Sequence, residues 1–384
     1  MELNSLSKYT REDKSKAKLI DDVLSMQARL CAPSFEMKLF KNRAAADAEY
    51  SHDDETCYEI IPQTKFCPEC GEKYRESENF CLDCGVILKQ IKYVDVTEIE
   101  IKPEFPVVKS NEYHDFKDIL TDENIERIAK GDFSINRIKK NIKIEALKRL
   151  DDAIKKNDIL FDDLTPLEKV TLFVKSFVNI EYKSYGPELG FYEFNKISID
   201  DRQLDVLQIT TLLHELAHFL NKEILVHIIC ELLDCSKTSE IESLATFILS
   251  YYPPNQLIDE YAAHTVEGRF TLYGYQDYSS FLSIQKTIDL SADDIEMLKT
   301  IGNSFANIIK SIIESFIDSR LLDDIKAQFR REILDRPDYR NLAMENCTLL
   351  YSEGFIKAVK WILSDGFMVA MDNIDILKQY SSKM

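Results

Sequence analysis

The 384-residue chain carries 48 lysines and arginines against 67 aspartates and glutamates, a formal charge of −19 at pH 7. A charge of that size disfavours non-specific binding of the whole molecule to DNA, RNA or an anionic membrane, although a local basic patch is still allowed. Hydrophobic residues are 45% and charged residues 30%, ordinary for a globular protein, and the length is enough for more than one domain.

With only 10 glycines and 10 prolines, a loop-rich or low-complexity chain is excluded. Long Leu/Ile/Lys/Glu-rich stretches favour helix, so the expected fold class is mainly α with a small β component, an α+β protein. Met1–Lys18 is polar and mixed in charge, without the apolar centre of a secretory signal. No stretch approaches the ~18–20 consecutive apolar residues that cross a bilayer. The expectation is therefore a soluble, cytoplasmic protein with no membrane partner.

Residues 1–60 read as a helical N-terminal segment with apolar positions Leu19, Ile20, Val23, Leu24 and Met26. Residues 61–93 carry two cysteine pairs. Residues 94–115 read as a linker. A short alternating run starting at Ile91 leads into it, and Pro103 and Pro106 break it. From about 116 to 181 the pattern is helical again. Within it, 137–149 is a basic amphipathic stretch, with six basic residues against Glu145. It is expected to be a solvated helix face. Residues 190–200 alternate first at Tyr192 and Phe194, then in the opposite phase at Ile197 and Ile199, which predicts a short hairpin or a bulged strand. Asp200 or Asp201 is a candidate cap for the helix that follows. Helices are then expected over 239–252, 255–272 and 291–320, with Pro253-Pro254 separating the first two and Asn255 as a plausible N-cap.

The cysteine pairs are Phe66-Cys67-Pro-Glu-Cys70-Gly71 and Phe80-Cys81-Leu-Asp-Cys84-Gly85. Each is a turn that points two thiolates at one metal, with glycine permitting the bend. Four thiolates close a coordination sphere, so Cys67, Cys70, Cys81 and Cys84 are expected to hold a structural zinc ion. The segment resembles a zinc ribbon. Lys65, Lys73, Arg75, Lys89 and Lys92 balance Glu69, Glu72, Glu76, Glu78 and Asp83, so the segment is a poor nucleic-acid reader and suits protein docking or stapling. Cys31, Cys57, Cys230, Cys235 and Cys347 stand apart and are expected to be buried apolar residues.

Residues 214–218 read His-Glu-Leu-Ala-His, between Leu212, Leu213, Phe219 and Leu220. On a helix His214 and His218 share one face a turn apart, a spacing that lets two imidazoles bind one Zn²⁺. Glu215 then lies beside the metal and can act as general base. A catalytic zinc needs a third protein ligand and an open position. A metzincin pattern is excluded, since Asn221 and Ile224 occupy its glycine and histidine positions. His227 points away from the metal face and reads as structural. Downstream, Asp259-Glu-Tyr-Ala-Ala-His264-Thr-Val-Glu267 places Glu260, His264 and Glu267 on one helix face. Glu260 is the preferred third ligand, as in gluzincins, and His264 is its rival. Otherwise His264 supports the ligands or stabilises the oxyanion.

These two motifs resemble the small gluzincin peptidases, closest to the ImmA/IrrE-like group, whose second helix reads ExxAxxFA. The likeness covers about 185–275, under a quarter of the chain. It departs from the pattern in the 41 residues between His218 and Glu260, and in Val266 at the aromatic position. It implies a zincin-like core over 116–289; the residues beyond, 290–384, read from their own pattern as a helical C-terminal region. It also implies hydrolysis of a peptide bond in a protein or peptide substrate, with Glu215 as general base on a zinc-bound water. Tyr261, His264, Tyr273 and Tyr275 are candidate oxyanion donors. The substrate would pair as an added strand near 191–199. The resemblance also implies restricted specificity, since such enzymes often cut one regulator rather than digest broadly, and a protein partner could dock on the ribbon or on the C-terminal helices. The competing expectation is a non-catalytic binding module with two structural zinc ions.

Overall fold

Two compact units divide the chain, Met1–Ile91 and Lys92–Met384. The computed structural model describes residues 63–66, 73–75, 78–81, 85–90, 96, 97, 99, 101, 113–182, 190–193, 195–271, 279–332 and 349–382. The expected helix over 1–60, three of the four paired cysteines (Cys67, Cys70, Cys84), and Cys31, Cys57, Cys347, Tyr273 and Tyr275 lie outside the described residues.

In the first unit, β1 (Gln63–Phe66) pairs antiparallel with β2 (Lys73–Arg75) on one side and β3 (Lys89–Gln90) on the other. Beyond β2, Phe80 and Ile87 pair as an isolated antiparallel bridge. The amide of Cys81 donates to the Val86 carbonyl and that of Gly85 to the Cys81 carbonyl, both at 2.9 Å. Gly85 has φ +68°, a conformation that costs a residue with a Cβ, which explains a glycine there. Cys81 packs against Leu88 and Val86.

In the second unit, α1 (Phe116–Ile119), α2 (Asp122–Lys130), α3 (Ile135–Lys156) and α4 (Pro166–Lys175) precede a small sheet. The sheet is β4 (Asn179–Tyr182), β5 (Gly190–Glu193) and β6 (Lys196–Ile199). Then come α5 (Asp205–Leu233), α6 (Ser239–Tyr251), α7 (Pro253–Phe270) and α8 (Ser279–Gln285). The last four are α9 (Ala292–Ile313), α10 (Ser319–Glu332), α11 (Ser352–Asp372) and α12 (Ile374–Ser381). The architecture is thus mostly helical with small sheets, as the composition predicts.

Local chemistry sets the helix starts. Thr121, Ser134 and Thr238 each accept a backbone N–H at the N-cap. Thr165 with Glu168, and Ser291 with Asp294, close reciprocal capping boxes. Two expected caps are different in the structure. α7 begins on Pro253 with Tyr252 as N-cap, because proline at the first helical position forgoes an amide that has no partner anyway. Asn255 is instead buried inside the helix, its amide donating to the Ile248 carbonyl at 2.8 Å. At the start of α5 the N-cap is Leu204, and Asp200 accepts from the Arg202 amide. A carboxylate from α10, Glu332, accepts from the Val206 amide instead.

The hairpin expected at 190–200 is β5–β6, turning through Asn195 at φ +66°. β6 is the middle strand, antiparallel to β5 and parallel to β4. β4 ends the stretch expected to be helical to residue 181; Asn-Ile-Glu-Tyr does alternate, but four residues are too few to stand out from the helix before them, and pairing with β6 makes them a strand.

α5 is apolar around nearly its whole circumference, which places it in the middle of the core. Leu212, Leu213, Leu216, Leu220 and Ile224 on it are wholly buried. Helices α4, α6 and α7 and the strands β5 and β6 pack around it. The C-terminal helices share the same core, so no break in packing falls at residue 290. α9 approaches α7 so closely that a Cβ on Gly302 would sit 2.8 Å from the Ile258 carbonyl oxygen and 3.1 Å from Tyr261. Part of the expected linker also packs down. Val96, Ile99 and Ile101 are buried, and the Lys175 ammonium donates to the carbonyls of residues 96, 97 and 99. Among the described residues no helix is long and apolar enough to cross a membrane.

The basic stretch lies on α3. Arg137 pairs with Glu231, and Arg149 donates to the Ser176 carbonyl at 2.6 Å. Of the cysteines set apart from the pairs, Cys235 is buried and Cys230 half-buried, both in or against the core.

Candidate metal centre

His214 and His218 lie on α5 with their Nε2 atoms 3.2 Å apart. Glu260, from α7, brings Oε2 to 3.8 Å from the first and 3.9 Å from the second. The other ring nitrogens are both held by carboxylates. His214 Nδ1 meets Glu267 Oε2, and His218 Nδ1 meets Asp259 Oδ2, each at 2.8 Å. A carboxylate only accepts, so each Nδ1 donates. In the neutral rings this leaves both Nε2 lone pairs directed at a common point beside Glu260. An ion with bonds of ~2.0–2.1 Å in tetrahedral geometry puts its ligand atoms about 3.4 Å apart. The two nitrogens match this separation, and the carboxylate stands slightly wider.

Carboxylates behind the histidines are the usual means of fixing the tautomer and ring orientation of metal-binding imidazoles. Here they come from the same helix as the third ligand. Asp259 adjoins Glu260, and Glu267 is two turns on. Asp259 is itself steadied by Asn221, whose amide donates to Oδ1 at 2.6 Å. Asn221 stands on α5, at the position where the excluded metzincin pattern requires glycine.

His264 is buried, its ring 4.6 Å from that of His214. Its Nε2 is 2.7 Å from Ser280 Oγ, and that hydroxyl donates to Glu260 Oε2 at 2.5 Å. A second overlapping set, His214, His264 and Glu267, also has ligand atoms close enough to share an ion. Glu267, however, already accepts from His214 Nδ1, so the lone pairs converge on the first set. Tyr261 is buried on the part of α7 that faces α9, its ring edge-on to Phe281 at 5.4 Å. His227 lies farther along α5, where burial pushes its imidazole down against the opposing field of Glu223.

Glu215 is buried next to His214 and accepts a hydrogen bond from the backbone N–H of Tyr192 on β5. Burial raises its carboxyl above the ordinary range, with the two histidines opposing. For the imidazoles burial acts downward, but the carboxylates outweigh it. Asp259 and Glu260 hold His218 up at about 10, and Glu267 raises His214. Burial would raise Glu260 too, yet His218 and His214 bring it down. Among the described residues, the ion pairs of Asp259, Glu260 and Glu267 are all with histidine. The pocket is therefore a concentration of buried negative charge that favours a cation, and its two imidazoles and carboxylate can hold a divalent metal ion.

The sequence pattern exposed His214, Glu215, His218 and Glu260. It did not assign the supports. Asp259 was readable only as a neighbour of Glu260, and Glu267 only as part of a polar stripe. Ser280 gave no signal. Comparison with protein-family models, curated proteins and solved structures finds no match to the chain.

Proposed function

We propose that this chain is a zinc-dependent metallopeptidase on a zincin-like core, with His214, His218 and Glu260 as metal ligands and Glu215 as general base. The observation that supports it most is the convergence of both histidine Nε2 atoms beside Glu260, each ring backed by its own carboxylate. When bound, zinc supplies Lewis acidity at the scissile carbonyl and lowers the pKa of water. Glu215 takes the proton of the attacking water and hands it to the departing amine. Its burial keeps the carboxylate basic, and the Tyr192 amide aims it. β5 has β6 on one side only among the described residues, so an extended substrate can pair along its other edge. His264 and Tyr261 flank the ligand Glu260.

A second, structural zinc on Cys67, Cys70, Cys81 and Cys84 belongs to the same proposal. The hydrogen bond from the Gly85 amide to the Cys81 carbonyl supports it. Thiolates used in this way suit a reducing, cytoplasmic setting. A protein substrate of restricted choice fits the small size of the strand edge. A module with two purely structural zinc ions would leave Glu215 without a task.

Metal analysis tests the reading. The purified protein is expected to carry about two zinc ions per chain, and His214→Ala to lose one of them. Metal content unaffected by His214→Ala overturns the proposal.

A further inference from the structure

We propose that Ser280 and His264 form a hydrogen-bond relay that positions Glu260 and thereby sets the affinity of the metal site. The inference rests on the metal reading above and concerns how the third ligand is held. Ser280 Oγ stands between two groups, 2.7 Å from His264 Nε2 and 2.5 Å from Glu260 Oε2. His264 and Glu260 are 4.0 Å apart at those atoms, too far for a direct hydrogen bond. The direction of the relay follows from the end group. Glu260 accepts, so the serine hydroxyl donates to it, and the serine oxygen accepts from His264 Nε2–H. His264 Nε2 is thereby committed to the serine, while its Nδ1 lies on the Glu267 side, 3.7 Å from Oε2. The relay assigns Glu260 to the metal and His264 to its support.

Two elements are fastened together at this point. Glu260 and His264 lie one turn apart on α7, while Ser280 belongs to α8. The residues next in sequence fasten the same two helices again, since Phe281 is buried with its ring edge-on to Tyr261. Ser280 is thus placed by packing rather than by a flexible side chain. A carboxylate held by a short, charge-assisted bond is already in its binding orientation when the ion arrives. Ser280 and His264 are positioning residues in this account, acting on the ion through Glu260.

The test is titration of Co²⁺ into the metal-free full-length protein. It follows the visible bands of nitrogen–oxygen coordination, which lack the near-ultraviolet thiolate band of a cysteine-bound ion. Ser280→Ala is expected to weaken Co²⁺ binding about 10–100-fold, with unchanged melting of the metal-free protein. Ser280→Thr, which keeps the hydroxyl, should restore affinity to near the wild-type value. His264→Ala should weaken binding as well, and the double variant should be no weaker than the poorer single variant, because the relay acts as a unit. A Ser280→Ala affinity equal to wild type overturns the relay alone, and so do fully additive losses. Wild-type protein without nitrogen–oxygen bands overturns the metal reading and the relay with it.

Discussion

Glu215→Gln protein is expected to keep its metal and to lose peptide hydrolysis by about 10²–10⁴-fold. The variant separates two roles that the motif combines. Glutamine matches glutamate in shape, and its carbonyl can still accept the Tyr192 amide, so the edge strand stays in place. What it lacks is the ability to take a proton. The ligands His214, His218 and Glu260 are untouched, so metal content should equal that of the wild type. The substrate is found first, by comparing protein fragments in a lysate treated with wild type and with the variant. Rates are then measured on a peptide spanning the cleaved bond. Equal cleavage by both proteins would sink the role of Glu215, and loss of metal from the variant would make it a ligand instead of a base.

Lys222→Met is expected to destabilise the fold by about 3–5 kcal/mol. Lys222 is 1% exposed, one turn beyond His218. Its ammonium lies 3.0 Å from Glu223 and 3.4 Å from Glu242, over the Phe219 ring, and donates to Asn195 in the β5–β6 turn. Lys237 completes a neutral quartet, 2.8 Å from Glu223 and 3.0 Å from Glu242. Methionine fills the volume but leaves the quartet with a net negative charge and Asn195 without its donor. Urea unfolding should show a lower midpoint at unchanged slope. A midpoint within error of wild type would mean that Lys237 alone satisfies both carboxylates.

The same cluster fixes a pH dependence. Burial would push Glu223 up, but Lys237 and Lys222, with His227 nearby, bring it down to about 2 from an ordinary 4.5. The folded pKa is below the unfolded one, so the stabilisation is complete above pH 4.5 and is lost as pH falls toward 2. Its size is on the order of 3 kcal/mol. Glu223→Gln should flatten stability across that window. An unchanged acid slope in the variant would assign the acid sensitivity to other carboxylates.

Part of the candidate site is legible in the sequence because its chemistry follows helix geometry. His214 and His218 had to share a face, and Glu260, His264 and Glu267 had to share another. The hairpin at 190–200 was legible from its change of phase at Asn195. β4 was not, because its four alternating residues are too few to stand out from the helical stretch before them and its parallel partner β6 comes only after β5 in the chain. The cap expected at Asn255 moved because two prolines could start the helix directly, and a buried Asn could then satisfy the Ile248 carbonyl.

Reading residues in order established the helical character of the chain, the two clusters of candidate metal-binding residues and the helices that carry the histidines and the acid. Such features depend on spacing along the chain, through the helical period and the geometry of a CxxC turn. The tertiary structure alone decided which carboxylate stands behind which histidine. It also decided that Asn221 steadies Asp259, that Ser280 reaches Glu260 from α8, and that a strand amide aims Glu215. These are contacts between elements separated by tens of residues, made when α5 is buried on all sides. Burial removes water as a partner for each polar atom and forces it to find one in whatever element packs there.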